Sequence, residues 1–251
     1  MLTNKFKINY SIGSVANGIK TDTFTFFLLF FYSNIIGLNP GLAGSAIFIA
    51  LCIDAVTDPL MGTISDRTST SLGRRHPYMM ISFIPMSLGY IFLFAPRQDW
   101  DMSQSDLFVW MTIFTVLTRI GMTLFDIPHR AFGGEVTKNY KERTILMSWR
   151  EMVGWVAGLS NAFLGYGIFF ASTPEYPQGQ LNPDAWFPFA VTGAIFMIIS
   201  VLYSSLSTKD EIKSLSKWSG SISLIDIIKE LKIAIGNRAF LIFFFGNLFL
   251  S

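Results

Sequence analysis

Two carboxylates lie inside a stretch of sequence that is otherwise almost entirely apolar or small. Asp54 and Asp58 fall within residues 42–64, a run about as long as a helix needs to cross a bilayer. Their spacing places both on one helix face, one turn apart. A charged side chain deep in hydrocarbon costs at least ~2.5–3.5 kcal/mol, so such residues usually face a polar cavity or a partner. The pair is interpreted as a cation or proton site in a transport pathway, with a structural ion pair between helices as the alternative.

The composition is that of an integral membrane protein. Hydrophobic residues make up 51% of the chain and charged residues only 14%, whereas a soluble domain carries about a quarter charged residues. The single cysteine, Cys52, excludes a disulfide framework and a cysteine-based metal site. The lipid bilayer is therefore an expected partner. No cofactor other than a coupling ion is expected, and no nucleic acid.

Polar, proline and glycine residues divide the chain into six predicted membrane spans. These are residues 12–37, 42–64, 78–95, 106–132, 145–171 and 185–206. They predict an all-α membrane protein in which residues 1–206 form an N-terminal six-helix bundle. Residues 207–238 are predicted as a cytoplasmic linker with an amphipathic helix over 224–235, because apolar residues recur there at helical spacing. Residues 239–251 are predicted as the truncated start of a second bundle, since that apolar run is too short to span.

The basic residues predict the orientation of these spans. Fourteen lysines and arginines fall on the side of the N-terminus, and Arg97 alone falls in the opposite loops. The positive-inside rule then predicts a multi-pass protein of the plasma (inner) membrane with a cytoplasmic N-terminus. Aromatic residues near the outer span ends are predicted as interfacial anchors: Trp100, Trp110, Tyr176 and Trp186.

A charged motif follows the second span. It consists of Gly62, Asp66, Arg67, Gly73, Arg74 and Arg75. Gly62 is expected to allow the close approach of a neighbouring helix. The charged residues lie at the predicted cytoplasmic mouth, where they can pair with helix ends. Anchoring by the positive-inside rule explains the arginines, but it leaves the embedded Asp58-Pro59 unexplained.

Taken together, these residues resemble a known family. Gly62-x-x-x-Asp66-Arg67 followed by Gly73-Arg74-Arg75 resembles the inner loop of the major facilitator superfamily, and Asp54-x-x-x-Asp58-Pro59 narrows the resemblance to the glycoside–pentoside–hexuronide cation symporters. A second block agrees, and it comprises Asp126-Ile127-Pro128, residues 133–137, residues 140–144 and Arg150. The resemblance implies the six-helix N-terminal bundle of a twelve-helix transporter, whose missing C-terminal half would supply the other wall of the substrate cavity.

The resemblance also implies roles for individual residues. Asp54 and Asp58 would be carboxylate ligands of Na⁺ or a proton, Thr57 and Thr123 would add oxygens, and Asp126 would connect this site to the substrate. The loop that closes the cytoplasmic side would comprise Gly62, Asp66, Arg67, Gly73, Arg74, Arg75, Glu135 and Arg143. Hard cations prefer oxygen donors, and two close carboxylates need a cation or a shared proton between them.

Substrate binding is expected to involve spans one, four and five. The candidate residues are Asn17, Lys20, Asp22, Asp126 and Arg150. The resemblance implies that Arg150 binds the sugar, because its planar guanidinium group can bind paired hydroxyls or a carboxylate. The alternative is an arginine whose side chain extends to the inner membrane interface.

Two departures from the family pattern bear on the substrate. The family's acidic residue on helix one matches Gly18 here, and its stacking aromatic on helix four matches Arg130. Asp22, one turn after Gly18, could replace the acid. The basic residues Lys20, Arg119 and Arg130 could indicate an acidic substrate such as a hexuronide.

The predicted function is cation-coupled symport of a sugar, glycoside or hexuronide by alternating access. The alternatives are a transporter of the same fold for a lysolipid or an organic acid, and an inactive fragment. An enzyme is not expected, because an intramembrane aspartyl protease needs its two aspartates on different helices in a Gly-x-Gly-Asp setting.

Overall fold

A computed structural model describes residues 2–214 and residue 236. The predicted linker helix over 224–235 and the predicted start of a second bundle over 239–251 lie outside the described residues. Within the described part the regular structure is helical, with no β-strand, and falls into six helical segments joined by short loops. This confirms the all-α fold class.

The six segments have the following bounds. The first contains α1 (Asn4–Ile12), α2 (Ser14–Asp22), a π-helical turn (Thr23–Phe27), α3 (Leu28–Phe30) and a second π-helical turn (Phe31–Ile36). The second is α4 (Pro40–Arg67), and the third contains α5 (His76–Ile81) and α6 (Phe83–Leu93). The last three are α7 (Gln104–Glu135), α8 (Tyr140–Leu164) with a π-helical turn (Gly165–Phe169), and α9 (Trp186–Ser207). Short 3₁₀ turns occupy Gln98–Trp100, Gly179–Leu181, Pro183–Ala185 and Lys209–Ser214.

Four of these helices are long and apolar enough to cross a membrane. They are Pro40–Arg67, Gln104–Glu135, Tyr140–Phe169 and Pro183–Glu211. The first segment begins eight residues before its predicted start, because Phe6 and Tyr10 turn inward against Phe132 and Leu146. The polar residues on the other face of α1 hide this beginning from a hydropathy reading.

The polar face of α4 packs against α7. Helix α7 packs on α4 and α6, whereas α2 packs on α8 and α9. On α7, Arg119, Thr123 and Asp126 are spaced four and three residues apart, so they share one face. On α4, Asp54 and Asp58 share a face in the same way. The charged residues of two apolar helices therefore face each other between the helices instead of facing lipid.

An aromatic cluster fills the predicted outer end of the bundle. Trp186 is completely buried there, with the rings of Phe31, Phe94 and Phe170 at centroid distances of 5.1, 6.1 and 4.6 Å. Its indole N–H donates to the Gln180 carbonyl at 3.0 Å. The prediction of Trp186 as an interfacial anchor was wrong, because this side chain points into the cluster and its N–H has a protein partner.

Gly18 lets α2 and α8 approach closely. A Cβ atom at Gly18 would lie 2.0 Å from the carbonyl oxygen of Gly154, which is far inside van der Waals contact. Gly158 faces the same contact, with a built Cβ 3.1 Å from the Gly18 carbonyl oxygen. The absence of an acid at position 18 is therefore linked to the packing of these two helices.

We expect Gly18→Ala to destabilise the protein by about 1–3 kcal/mol, because the added methyl group collides with backbone that must move. The matched control is Gly44→Ala in α4, where a Cβ has open space and alanine favours the helix by about 1 kcal/mol. Thermal unfolding of both variants in detergent checks this. Equal melting temperatures for the two variants would contradict the close approach.

Candidate functional site

A small polar pocket lies between α2, α4 and α7. Its volume is about 80 Å³, enough for two or three water molecules at ~30 Å³ each. Its polar lining residues are Asn17, Lys20, Asp54, Asp58, Arg119, Thr123 and Asp126. We call it the interhelical pocket. The structure thus brings together four of the five predicted cation-site residues, Asp54, Asp58, Thr123 and Asp126.

The fifth predicted cation-site residue, Thr57, is not part of the pocket lining. Its hydroxyl group reaches the carbonyl oxygen of Asp54 on its own helix, at 3.5 Å. A residue one position before Asp58 points about 100° away from it around the helix. The structure therefore does not place Thr57 with the other oxygen donors.

Asp54 has a cationic partner across the helix interface. The Nε of Arg119 donates to Asp54 Oδ2 at 2.5 Å. The second carboxylate oxygen, Oδ1, is buried and has no hydrogen-bond partner among the described residues. Asp54 is therefore half satisfied, by a guanidinium group that the protein itself supplies.

Asp58 is differently placed. Thr123 Oγ1 donates to Asp58 Oδ1 at 2.7 Å. Within residues 2–214, Asp58 forms no ion pair with a lysine or arginine. Pro59 has no amide hydrogen, so the carbonyl of Ala55, four residues earlier, has no donor within the helix. In the pocket, Asp58 therefore has a neutral hydroxyl group as its hydrogen-bond partner.

Asp126 is held by two arginines. Arg130, one turn further along α7, donates to Asp126 Oδ2 at 2.7 Å, and Arg150 of α8 pairs with Asp126 Oδ1. Arg150 also donates to Glu151 Oε1 at 2.6 Å, and its side chain is 1% exposed. The alternative interpretation of Arg150 as an arginine extending to the interface does not fit this burial. Arg130 is half exposed, at 52%.

Four of the five predicted substrate residues line two places, and Arg150 lines neither. Lys20 and Asp126 line the interhelical pocket, whereas Asp22 lines a separate groove between α2 and α8 and accepts a hydrogen bond from Asn161 at 3.0 Å. Asn17 lines both. The groove has a volume of about 300 Å³, and its walls include Thr21, Asp22, Glu151, Trp155 and Leu159. We call it the α2–α8 groove.

The predicted gate residues form a charge cluster at the ends of α4 and α7. Arg75 donates to Asp66 at 2.5 Å and to Glu135 at 3.0 Å, and Arg74 donates to Glu135 at 2.8 Å. Gly73 has a φ of 79°, a conformation that glycine adopts easily. The turn at Gly73 places Arg74 and Arg75 next to the ends of α4 and α7. We call Asp66, Arg74, Arg75 and Glu135 the charge cluster.

Three other predicted gate residues are placed differently. Arg143 donates to the Thr137 carbonyl at 3.4 Å and lies outside the charge cluster, and Arg67 is the last residue of α4. A Cβ at Gly62 would lie 3.7 Å from Ile127, an ordinary contact distance. Among the described residues, position 62 has room for a side chain, so the expected close helix approach at Gly62 is not found there.

Beside the charge cluster, His76 at the start of α5 is buried against α9. Its Nε2 lies 3.2 Å from Thr208 Oγ1, and burial lowers the pKa of His76 to about 4. The ring is accordingly neutral at physiological pH and joins two helices through one hydrogen bond.

Sequence reasoning did not predict the pairing of Arg119 with Asp54 or of Arg130 with Asp126. A signal existed for the first pair, since an arginine in the middle of a predicted span requires an acidic partner. For the second pair, the spacing of four residues on one helix was itself a sufficient indication.

A helical bundle with membrane-length apolar helices and a charged pocket between them is the architecture of a multi-pass integral membrane protein. Residues 9–251 match the MFS/sugar transport protein family, and the chain belongs to that family. This confirms the resemblance on which the family assignment was predicted.

Several curated proteins are similar to the chain. An uncharacterized symporter of Synechocystis is 30% identical over 82% of this chain and 37% of its own length. A putative glycoside/cation symporter of Escherichia coli is 28% identical over 94% of this chain and 48% of its own. A sodium-dependent lysophosphatidylcholine symporter of Danio rerio is 31% identical over 69% of this chain and 32% of its own. The chain spans 32–48% of the length of these relatives.

Proposed function

We propose that the protein is a cation-coupled symporter for a sugar or glycoside, working by alternating access. The observation that carries this proposal is Asp58: a carboxylate in an apolar helix that has a hydroxyl partner, Thr123, but no ion pair within the described residues. An uncompensated carboxylate inside a membrane bundle is costly. A coupling ion bound at Asp58 would supply the missing positive charge.

The coupling would run through Asp126. This residue lines the interhelical pocket with Asp58 and is bound to Arg150, which continues to Glu151 in the α2–α8 groove. A continuous chain of charged contacts thus links the two places. If neutralisation at Asp58 favours the substrate-binding arrangement, substrate must raise cation affinity by the same factor.

The substrate would bind in the α2–α8 groove, closed by the second half of the transporter. Its lining offers carboxylates at Asp22 and Glu151 and an amide at Asn17, beside the 72% exposed ring of Trp155. Carboxylates for hydroxyl groups and an aromatic face suit a neutral sugar or glycoside. Of the basic residues that suggested an acidic substrate, Arg119 and Arg130 are already paired with Asp54 and Asp126.

A second candidate substrate is a lysolipid or another non-sugar molecule such as an organic acid. The exposed apolar face of α8, with Trp155, Leu159 and Phe163, favours it, as does the similarity to the zebrafish symporter. Both candidates share the cation site and the alternating-access scheme.

The test is uptake by the protein at its full encoded length, expressed in cells that lack competing carriers. The panel should contain neutral glycosides, hexuronides, organic acids and lysophosphatidylcholine, each with a Na⁺ gradient, a pH gradient or neither. Accumulation of a neutral glycoside above the external concentration under one gradient supports the proposal. Accumulation of the lysolipid alone would transfer the proposal to the second candidate, and equilibration without accumulation for every compound would overturn it.

We further propose that the protein resides in the plasma (inner) membrane with its N-terminus in the cytoplasm, and that the charge cluster acts there as a latch on the cytoplasmic side. Arg75 is 6% exposed and binds the acidic residues at the ends of two different helices. Asp66 and Glu135 are 53% and 32% exposed, so solvent screens these contacts; the upper limit for a partly buried charge at a helix end is ~2 kcal/mol, and even about half of that shifts a two-state equilibrium roughly 5-fold.

We expect Arg75→Gln to slow transport turnover and to favour the inward-open state, because it removes both contacts of the latch. The control is Arg143→Gln, which changes charge at the same membrane face but outside the charge cluster. Labelling of a cysteine introduced in the cytoplasmic cavity, in a Cys52→Ser background, reports the shift. Identical turnover and labelling in the two variants would contradict a latch. The charge cluster would then serve only to fix the orientation of the protein in the membrane.

A further inference from the structure

The cationic partner of Asp54 is a side chain of the protein itself, Arg119. Arg119 comes from the middle of α7, and its Nε lies 2.5 Å from Asp54 Oδ2. The guanidinium also lies 5.9 Å from the ring centre of Phe24, a favourable cation–π distance. The side chain is therefore held from two sides, by a carboxylate on α4 and an aromatic ring in the first helical segment.

A second resident cation lines the same pocket. Lys20 Nζ lies 5.9 Å from the ring centre of Phe24 as well. Lys20, Arg119, Asp54 and Asp58 thus line one pocket, and within residues 2–214 the one ion pair among them joins Arg119 to Asp54. Asp126, the third acid of the pocket, is balanced separately by Arg130 and Arg150.

The donor set does not fit a sodium ion shared by Asp54 and Asp58. A sodium ion bound between them would need oxygen ligands from both carboxylates, and one oxygen of Asp54 already accepts a hydrogen bond from Arg119. The guanidinium already neutralises Asp54, so a sodium ion shared with Asp58 would lie a few Å from a resident positive charge, whereas a proton on Asp58 needs a single oxygen and no contact with Asp54. Like charges at such distances in a partly buried site repel strongly.

From this geometry we infer that Arg119 is a tethered cation that occupies the Asp54 half of the site and excludes sodium from it. The inference rests on the proposed function and narrows it: Asp58 remains for a coupling ion, and that ion is not Na⁺. Arg119 is on this account a specificity-determining residue. The unpartnered Asp54 Oδ1 marks the oxygen that becomes available once the guanidinium is removed.

The test measures Na⁺ binding apart from transport. The purified protein at its full encoded length is melted in about 0.1 M NaCl or choline chloride, so that ionic strength is equal. Wild type should show the same melting temperature in both salts. Arg119→Gln leaves Lys20 against two carboxylates, and Na⁺ at ten times its Kd should raise the melting temperature of this variant by ~3 °C.

Two further variants make the result specific. Asp54→Asn/Arg119→Gln removes the freed carboxylate and should abolish the response to Na⁺. Arg97→Gln, the same substitution at the exposed pair with Asp184, should behave as wild type. If Arg119→Gln fails to fold, the wild-type titration still tests the inference, because stabilisation of wild type by Na⁺ over choline would overturn it.

Stabilisation of wild type by Na⁺ over choline overturns the inference, and so does a folded Arg119→Gln without any response to Na⁺. These outcomes are distinct from failure of the proposed function. If uptake is uphill under neither a Na⁺ gradient nor a pH gradient, cation coupling is lost, while the exclusion of Na⁺ by Arg119 is still measured by the melting experiment.

Discussion

Asp58→Asn is expected to abolish uphill uptake while leaving the protein folded. The amide keeps the size of the carboxylate and still accepts a hydrogen bond from Thr123, so the helix contact persists. It carries no charge for a coupling ion to neutralise, so the gradient no longer drives transport. Uptake should then stop at equal concentrations on the two sides, an accumulation ratio of ~1.

The measurement is the steady-state accumulation of the best substrate of the panel, with exchange of labelled substrate as a check that the variant still binds and moves it. The control is Asp99→Asn, an exposed acid in the loop between α6 and α7 that is paired with Arg97. If Asp58→Asn accumulates substrate to the level of this control, Asp58 is not the coupling site and its role is structural.

Asp54→Asn is expected to act on stability more strongly than on coupling. The substitution leaves the guanidinium of Arg119, which is 14% exposed, without its carboxylate. Breaking a fully buried ion pair by removing one partner costs about 3–5 kcal/mol, because an uncompensated charge remains inside the protein; for this partly buried pair, 14% and 20% exposed, that range is the upper limit. Adding Arg119→Gln should recover most of this loss, since the double variant has no charge to leave unpaired.

A double-mutant cycle in thermal unfolding checks this expectation. The comparison pair is Arg97 and Asp184, whose side chains are 61% and 75% exposed; its cycle should give a coupling energy of 0–1 kcal/mol, as exposed pairs do. If Asp54→Asn and the double variant melt at the same temperature, Arg119 finds another partner and the buried pair is not a stabilising unit.

The helical architecture was largely predictable from the sequence. Runs of apolar residues bounded by polar ones predicted six spans, and the described residues form six helical segments. Four of these contain a helix that is long and apolar enough to cross a membrane. The breaks at Gly13 and Ser82 and the π-helical turns were not predicted. Such local changes depend on small adjustments of hydrogen bonding that hydropathy does not reflect.

The candidate site was predictable in part. The embedded aspartates were found because a charge in an apolar helix is costly enough to require a reason. The partners of those charges were not found. Arg119 was interpreted as a basic group available to an acidic substrate, whereas it pairs with Asp54, 65 residues earlier in the chain.

The sequence by itself determined the class of protein, the family, and the presence of two carboxylates on one face of a membrane helix. Only the tertiary structure decided which cation meets which carboxylate, that Asp22 lies in the α2–α8 groove, and that Trp186 is buried. The physical reason is geometric: hydropathy and residue spacing specify a helix and its polar face, but the depth and rotation of one helix against another arise from packing. Contacts such as Gly18 against Gly154 set that packing, and a change of one turn would exchange every charged partner in the pocket.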